Sequence, residues 1–362
     1  MLRPTGESSL FGMTRRLVLL CLLSAVSALP VRAQESGLLL GLHVNTDSGE
    51  PYQTFWIAPE NGRVRVLLAG PDLIVPGKAG FWRTCLVDVS YEEDGGQYES
   101  DSIVAEPATP SRAHCENPAR PAKESDGGYH CTSTDQTRIL FVGPNAISTE
   151  NSWEGDCGAH PSSATTINLT SLNQRDTIAY LGIADSVRRR TLRAASTAAA
   201  REEYADLGTV DSTSLDADGL PTGSSFSTNE QWGVKRAQGY WHAIGEASCT
   251  PIIGCMQVST FPVPKFRAPQ RLVGHDDLFP SFGSIRKVVS TARDAVSSPR
   301  RDLVVVVTND SLLVFIPHGE KLGAPVAQFP ASGEIVMAQW ATGRFVPIWT
   351  SKLRELIASV RH

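Results

Sequence analysis

The chain contains no G-x-S-x-G elbow, no H-E-x-x-H helix, no G-x-x-x-x-G-K-[ST] loop and no G-x-G-x-x-G turn. The common serine hydrolase, zinc protease and nucleotide-binding signatures are therefore missing. An apolar run long enough to span a bilayer is also lacking. Leu17 to Leu29 is about a dozen residues, against the ~20 that a spanning helix needs, and no later run approaches that length. Positive charge is not in excess either, since 33 Lys and Arg stand against 38 Asp and Glu for a formal net charge of −5. That excludes nucleic acid or an anionic membrane as a partner held by bulk attraction.

What the first residues do contain reads as an export signal. Met13-Thr14-Arg15-Arg16 is a basic start, Leu17 to Leu29 an apolar run, and Val31-Arg32-Ala33 a small-residue cleavage site. The expectation is that residues 1–33 are a signal peptide whose natural start is Met13, and that 34–362 fold as one mainly-β domain in the periplasm or outside the cell, with no membrane span after cleavage. Leu20 precedes Cys21 where a lipobox needs a small residue, so no lipid anchor is expected. The leader carries Arg3, Arg15, Arg16 and Arg32 but only Glu7, which leaves the remainder more acidic still.

Of the seven cysteines, six lie beyond the leader: Cys85, Cys115, Cys131, Cys157, Cys249 and Cys255. An even number in an exported chain reads as disulfides. Cys249 and Cys255 flank a short Pro- and Gly-containing loop and suit a local bridge. Cys115 with Cys131 would staple a loop, leaving Cys85 for Cys157. His114, His130 and His160 beside three of these cysteines raise a zinc alternative, but only Cys157-x-x-His160 has close ligand spacing, and disulfides are the better fit to an oxidising compartment.

Short apolar runs bounded by turn residues predict strands at Leu38 to Val44, Thr54 to Ala58, Val64 to Leu68, Leu73 to Val75 and Gly80 to Val89. Residues from about 91 to 137 are acidic and rich in Gly and Pro, and read as a disulfide-stapled surface insertion. Arg138 to Pro144 and Ala164 to Leu169 return to strand. A helical insertion is expected at about 172–206, where Ser186 to Tyr204 is rich in Ala and Arg and free of Gly and Pro. Trp232 to Trp241 repeats an earlier pattern at an offset of 159, Gly239-Tyr240-Trp241 answering Gly80-Phe81-Trp82.

The last hundred residues are the clearest. Leu303-Val304-Val305-Val306-Val307 and Leu312 to Ile316 flank Thr308-Asn309-Asp310-Ser311, which predicts a hairpin whose first strand is covered on both faces. Pro325 to Phe329, Glu334 to Ala341 and Gly343 to Trp349 follow, and Lys352 to Val360 reads as a closing helix. The segment from Ser298 to Pro330 resembles the repeat of WD40-like β-propellers, although Phe315-Ile316 stands where the aspartate–tryptophan dipeptide would be. The resemblance spans roughly 299–341. It implies an irregular propeller-like domain of antiparallel sheets with an inserted helix and a short C-terminal helix, whose loops carry the binding work, and it transfers no functional residue.

The best local chemistry is His275-Asp276-Asp277, a group able to hold a divalent cation or act as an acid–base pair, or simply to form a polar turn. No cofactor is expected. Trp56, Trp82, Trp232, Trp241, Trp340 and Trp349 are placed on strands, where core packing accounts for them better than sugar stacking. The sequence thus points to an exported, non-enzymatic protein that binds a protein or glycan partner in the envelope. A secreted hydrolase or lyase with a propeller-type site is the alternative, and an envelope structural or assembly factor the third reading.

Overall fold

The computed structural model describes residues 35–44, 51–70, 72–77, 80–93, 96–110, 115, 132–143, 146–156, 162–171, 179–180, 232–249, 257–268 and 270–360. The expected signal peptide, the helical insertion at 172–206, and Cys131, Cys157 and Cys255 lie outside the described residues. Within Ser36–His362, which forms one compact unit, the chain is mainly β and almost wholly antiparallel.

Four sheets hold the strands. The first has the order β18 (Glu334–Thr342), β1 (Ser36–His43), β2 (Tyr52–Glu60) and β3 (Arg63–Gly70). A strand from near the end of the chain therefore completes the sheet that opens it, from Ser36 opposite Thr342 to His43 opposite Glu334. The second sheet runs in sequence order through β4 (Leu73–Pro76), β5 (Phe81–Glu93), β6 (Gly96–Pro107), β7 (Thr132–Val142), β8 (Ala146–Asp156), β9 (Ser162–Ser171) and β10 (Ala179–Tyr180). The third is β11 (Trp232–Ala237), β12 (Tyr240–Cys249) and β13 (Gln257–Arg267), and the fourth β14 (Asp294–Ser297), β15 (Val304–Val307), β16 (Leu312–Phe315) and β17 (Ala327–Phe329). Strands β7, β11 and β18 pack against one another, as do β14 and β4 against β18. Mainly antiparallel sheets of sequence-adjacent strands that meet around β7, β11, β14 and β18, with β18 closing onto β1, make an irregular propeller-like arrangement.

Burial explains the patterning. Leu38, Leu40 and Leu42 enter one core with Phe55, Val305 and Val314, while Leu39 enters a second with Trp56, Ile74 and Met337. A strand with cores on both faces has no use for a polar alternate residue, which accounts for the unbroken Leu38-Leu39-Leu40. The valine run of β15 is likewise wholly buried, Val305 and Val307 in one core and Val304 and Val306 in another. Each such side chain contributes about 1.5–3 kcal/mol.

Three expectations need correction. Much of the supposed insertion at 91–137 is strand: β5 and β6 pair without a break from Trp82 opposite Pro107 to Glu93 opposite Gly96. Phe81, Cys85 and Val89 are buried and Leu86 and Ile103 pack against a core, but beyond Val89 the pairing runs through polar residues, so composition hid the hairpin. Gly343 to Trp349 is not a strand. Gly343 adopts φ +56° and the helix Phe345–Val360 starts directly after it, with Pro347 in the first turn, where no intrahelical N–H bond is lost. Trp349 thus sits on a helix, packed edge-on to Phe81 at 5.4 Å. The disulfide joins Cys85 to Cys115, with a Cα separation of 6.1 Å, not Cys115 to Cys131. The β5–β6 hairpin brings Val104 opposite Cys85, and Cys115 Sγ lies 3.9 Å from the Val104 carbonyl, so the chain that leaves β6 doubles back onto the hairpin.

The repeat at offset 159 is a pair of hairpins that differ in detail. Pro76 faces Phe81 across a four-residue connection, whereas Ala237 and Tyr240 are joined by Gln238 and Gly239, both with positive φ. The phase is inverted as well: Phe81 and Trp241 are buried, while Trp82 and Tyr240 are half-buried.

Candidate functional site

His275-Asp276-Asp277 does not form a convergent centre. Asp276 is turned to the β11–β12 hairpin, where its carboxylate accepts from the Trp241 N–H at 3.1 Å and from Arg236 Nη1 at 3.1 Å. Arg236, 9% exposed, also donates to the carbonyls of Gly239 at 2.8 Å and Ala295 at 2.6 Å and pairs with Asp294 at 3.3 Å. Burial pushes both carboxyls up, and the guanidinium between them pulls both back down. The group is a joint between the third and fourth sheets. Asp277 is exposed, and its carbonyl accepts from Ser297 Oγ at 2.8 Å. His275 is half-buried, with burial lowering its pKa against the opposing pull of Asp277, and its Nε2 has no hydrogen-bond partner. Among the described residues no group of three His, Cys, Asp or Glu side chains stands close enough to hold a metal ion.

A different place has the shape of a site. Strands β6 and β7 run parallel from Gln97 opposite Thr132 to Ser100 opposite Asp135 and then part. Asp101 fills the fork: its Oδ2 accepts from the Thr137 N–H at 2.7 Å. The fork opens into a cleft of about 900 Å³. Its walls are the ends of β5 and β6, carrying Asp88, Glu99 and Asp101, and the β7 and β8 faces, carrying Asp135, Arg138 and Glu150. His43 from β1 and Tyr52 from β2 close one end.

Packing fixes the closed end of the cleft. Tyr52 is 3% exposed, its hydroxyl accepts from the Ile139 N–H at 2.7 Å, and burial raises its pKa well above the ordinary phenol value. Its ring meets His43 edge-on at 5.2 Å, and burial, then Arg138, lowers the pKa of that imidazole. Arg138 donates to Glu334 at 2.8 Å and lies 3.9 Å from Glu150, while Lys235 approaches Glu334 at 3.7 Å. Three strands, β7, β11 and β18, are thereby cross-linked beside the cleft. Asp88 is the direct cross-strand partner of Asp101. Burial first, then a hydrogen bond and repulsion from Asp88, raises the Asp101 carboxyl to about 6, against the Thr137 N–H, which lowers it. Partial burial raises Asp135 too.

Sequence reasoning missed this site because it assigned Glu99, Asp101 and Asp135 to an insertion. One signal was present in the sequence: Asp94-Gly95, a dipeptide typical of two-residue hairpin turns, stands between the segments that carry Asp88 and Asp101. Five of the tryptophans named from the sequence, Trp56, Trp82, Trp241, Trp340 and Trp349, form no open sugar platform. Trp56 and Trp241 are each 1% exposed, and Trp82, Trp340 and Trp349 pack against the cores.

No protein-family model and no curated protein matches this sequence. Among solved structures, TolB from Acinetobacter baumannii aligns over 93% of this chain and 74% of its own, at 11% identity and a TM-score of 0.20. A protein from Lactobacillus plantarum aligns over 85% and 99% at 10% identity, TM-score 0.28, and a candidate 6-phosphogluconolactonase from Bacteroides uniformis over 85% and 100% at 10%, TM-score 0.24. Likenesses this slight carry no argument about activity. Among the described residues no helix is long and apolar enough to cross a membrane.

Proposed function

We propose that this is an exported, non-enzymatic binding protein that engages a protein partner in the envelope by seating a basic segment in the cleft at the β6–β7 fork. The observation that carries this reading is the cleft itself, about 900 Å³, whose described lining sets Asp88, Glu99, Asp101, Asp135 and Glu150 against Arg138, which is already paired with Glu334 and Glu150. Excess negative potential in a concave, partly desolvated surface attracts cations and steers their approach. A glycan is less well served, because among the described residues Tyr52 and His43 are the cleft's aromatic rings and they pack edge-on against each other. The binding surface is then built from strand faces, not from the loops a propeller resemblance suggests.

A photo-crosslinking residue at Ser90 in the cleft, compared with one at exposed Lys352, tests it in envelope extracts. A partner captured from Ser90 but not from Lys352, through a Lys- or Arg-bearing segment, and lost in Glu99→Lys, is the expected outcome. Equal capture at both positions, or none at either, sinks the reading.

The hydrolase alternative moves with the site. A carboxyl raised to about 6 with a second carboxyl directly opposite it is an arrangement that general acid catalysis can use, and Asp101 with Asp88 supplies it. Turnover of a glycoside or ester panel that vanishes in Asp101→Asn supports it; a panel left untouched by the native protein removes it.

A further inference from the structure

Asp88 and Asp101 are directly opposed in the β5–β6 ladder, the register in which two like charges repel most. Directly opposed on one face of the ladder, the two carboxyls are placed where they could share a hydrogen bond, and Asp88 helps to raise the Asp101 carboxyl. Ionised carboxylates only accept, so a bond between the two requires a proton on one of them. Asp101 cannot turn away to relieve the contact, because its Oδ2 is held by the Thr137 N–H at the strand fork. Asp88 is exposed and faces it from the neighbouring strand.

We propose that Asp88 and Asp101 form a proton-sharing pair that sets the charge of the cleft, one negative charge while the proton is shared and two once it has left. The consequence for binding rests on the reading of the cleft as the seat of a basic segment; the proton sharing itself does not. Losing the proton frees exposed Asp88 to turn toward solvent while Asp101 keeps its bond to Thr137. The cleft then presents both charges to a cation. Acidification reverses this and weakens the hold on a basic partner.

Other groups face the pair from every strand around it. Glu99 lies on β6 itself, Asp135 and Arg138 on β7, Glu150 on β8, His43 on β1 and Tyr52 on β2. Glu334 on β18 and Lys235 on β11 stand behind Arg138. Tyr52 stays neutral throughout, and Arg138 stays charged. Asp135 and His43 are the neighbours whose titration would imitate the pair. Protonation of Asp135 removes a negative charge and protonation of His43 adds a positive one, both on acidification. His43→Gln and Asp135→Asn therefore serve as controls.

The experiment follows the side-chain carboxyl carbons of labelled aspartate by NMR in the full chain without ligand, beside the binding of tetralysine by calorimetry. Asp101 is expected to titrate at about 6 in the native protein and lower in Asp88→Asn, an isosteric change at an exposed position, with burial still holding it above the ordinary carboxylate range. Tetralysine is expected to bind about five- to tenfold more tightly at about pH 7.5 than at about pH 5, for the loss of one adjacent charge. That ratio persists in His43→Gln and Asp135→Asn and flattens in Asp88→Asn. An Asp101 that titrates in the ordinary range, or one whose midpoint Asp88→Asn leaves in place, overturns the pair. A pH ratio undiminished in Asp88→Asn overturns its control of the cleft charge. If tetralysine binds at no pH, the binding reading falls, and the carboxyl titration still decides whether the proton is shared.

Discussion

The carboxylate of Asp294 closes the turn that carries Gly239: its Oδ1 accepts from the Gly239 N–H at 2.6 Å and from the Ala295 N–H at 2.7 Å, while Oδ2 faces Arg236 at 3.3 Å. One side chain on β14 thus satisfies a backbone donor of the third sheet, a donor of its own sheet and a buried cation. Removing one member of such a group leaves the rest desolvated without partners, which costs more than the pair contributes when intact. Asp294→Ala is expected to lower stability by about 3–5 kcal/mol in urea denaturation, with an unchanged slope. A loss under about 1 kcal/mol would mean that water reaches Arg236 and that the joint is open.

Asp277 provides the contrast. It belongs to the same three-residue motif, yet its carboxylate is exposed and only its main-chain carbonyl holds a neighbour, Ser297. Asp277→Ala keeps that carbonyl and is expected to shift stability by no more than about 0.5 kcal/mol. Any activity the protein proves to have should survive the change, and its disappearance in Asp277→Ala alone would return attention to His275 and its neighbours.

The ease with which parts of this fold are read from the sequence follows how each strand is stabilised. The β15–β16 hairpin is legible because Val304 to Val307 and Leu312 to Phe315 are selected by burial, and burial shows in composition. Strands β6 and β8 are not, because Gly96–Pro107 and Ala146–Asp156 are held by ladders on both sides and carry Ser, Thr, Asn and Glu. The candidate site falls on these less legible strands for the same reason: a hydrated cleft needs polar residues on β structure. His275-Asp276-Asp277 misleads in the opposite way. Three ionisable residues in a row look like chemistry, whereas Asp276 is committed to a guanidinium from a residue 40 positions away.

Cys85 and Cys115 enclose a span of 30 residues that includes all of β6. Cross-linking such a span stabilises by about 3–4 kcal/mol in the chain-entropy model. Cys115→Ser is the cleaner test, since it leaves Cys85, 4% exposed, as a small buried apolar side chain. The variant should unfold at lower urea by about that amount, and reductant should move the native protein to the same midpoint. A native protein insensitive to reductant would show that β5 and β6 hold their register without the bridge.

The raised Asp101 carboxyl also makes a statement about stability. Folding lifts it from the ordinary value of 3.8 to about 6, so between those values the folded state binds more proton than the unfolded one. Stability contributed by this group is then fully present below pH ~4 and is lost as pH rises through about 6. The group is about half-exposed, and solvent screening reduces the change to ~1 kcal/mol. Asp101→Asn should therefore lose that slope, its side-chain oxygen still accepting from Thr137, and should gain on the native protein at neutral pH while matching it at pH ~4. Because other carboxyls titrate in the same window, the difference between the two proteins is the quantity to measure. A difference that stays flat from pH ~4 to ~7 would mean that folding leaves Asp101 unperturbed, and one of opposite sign would mean that its charge is stabilised by Arg138 more than it is opposed by Asp88.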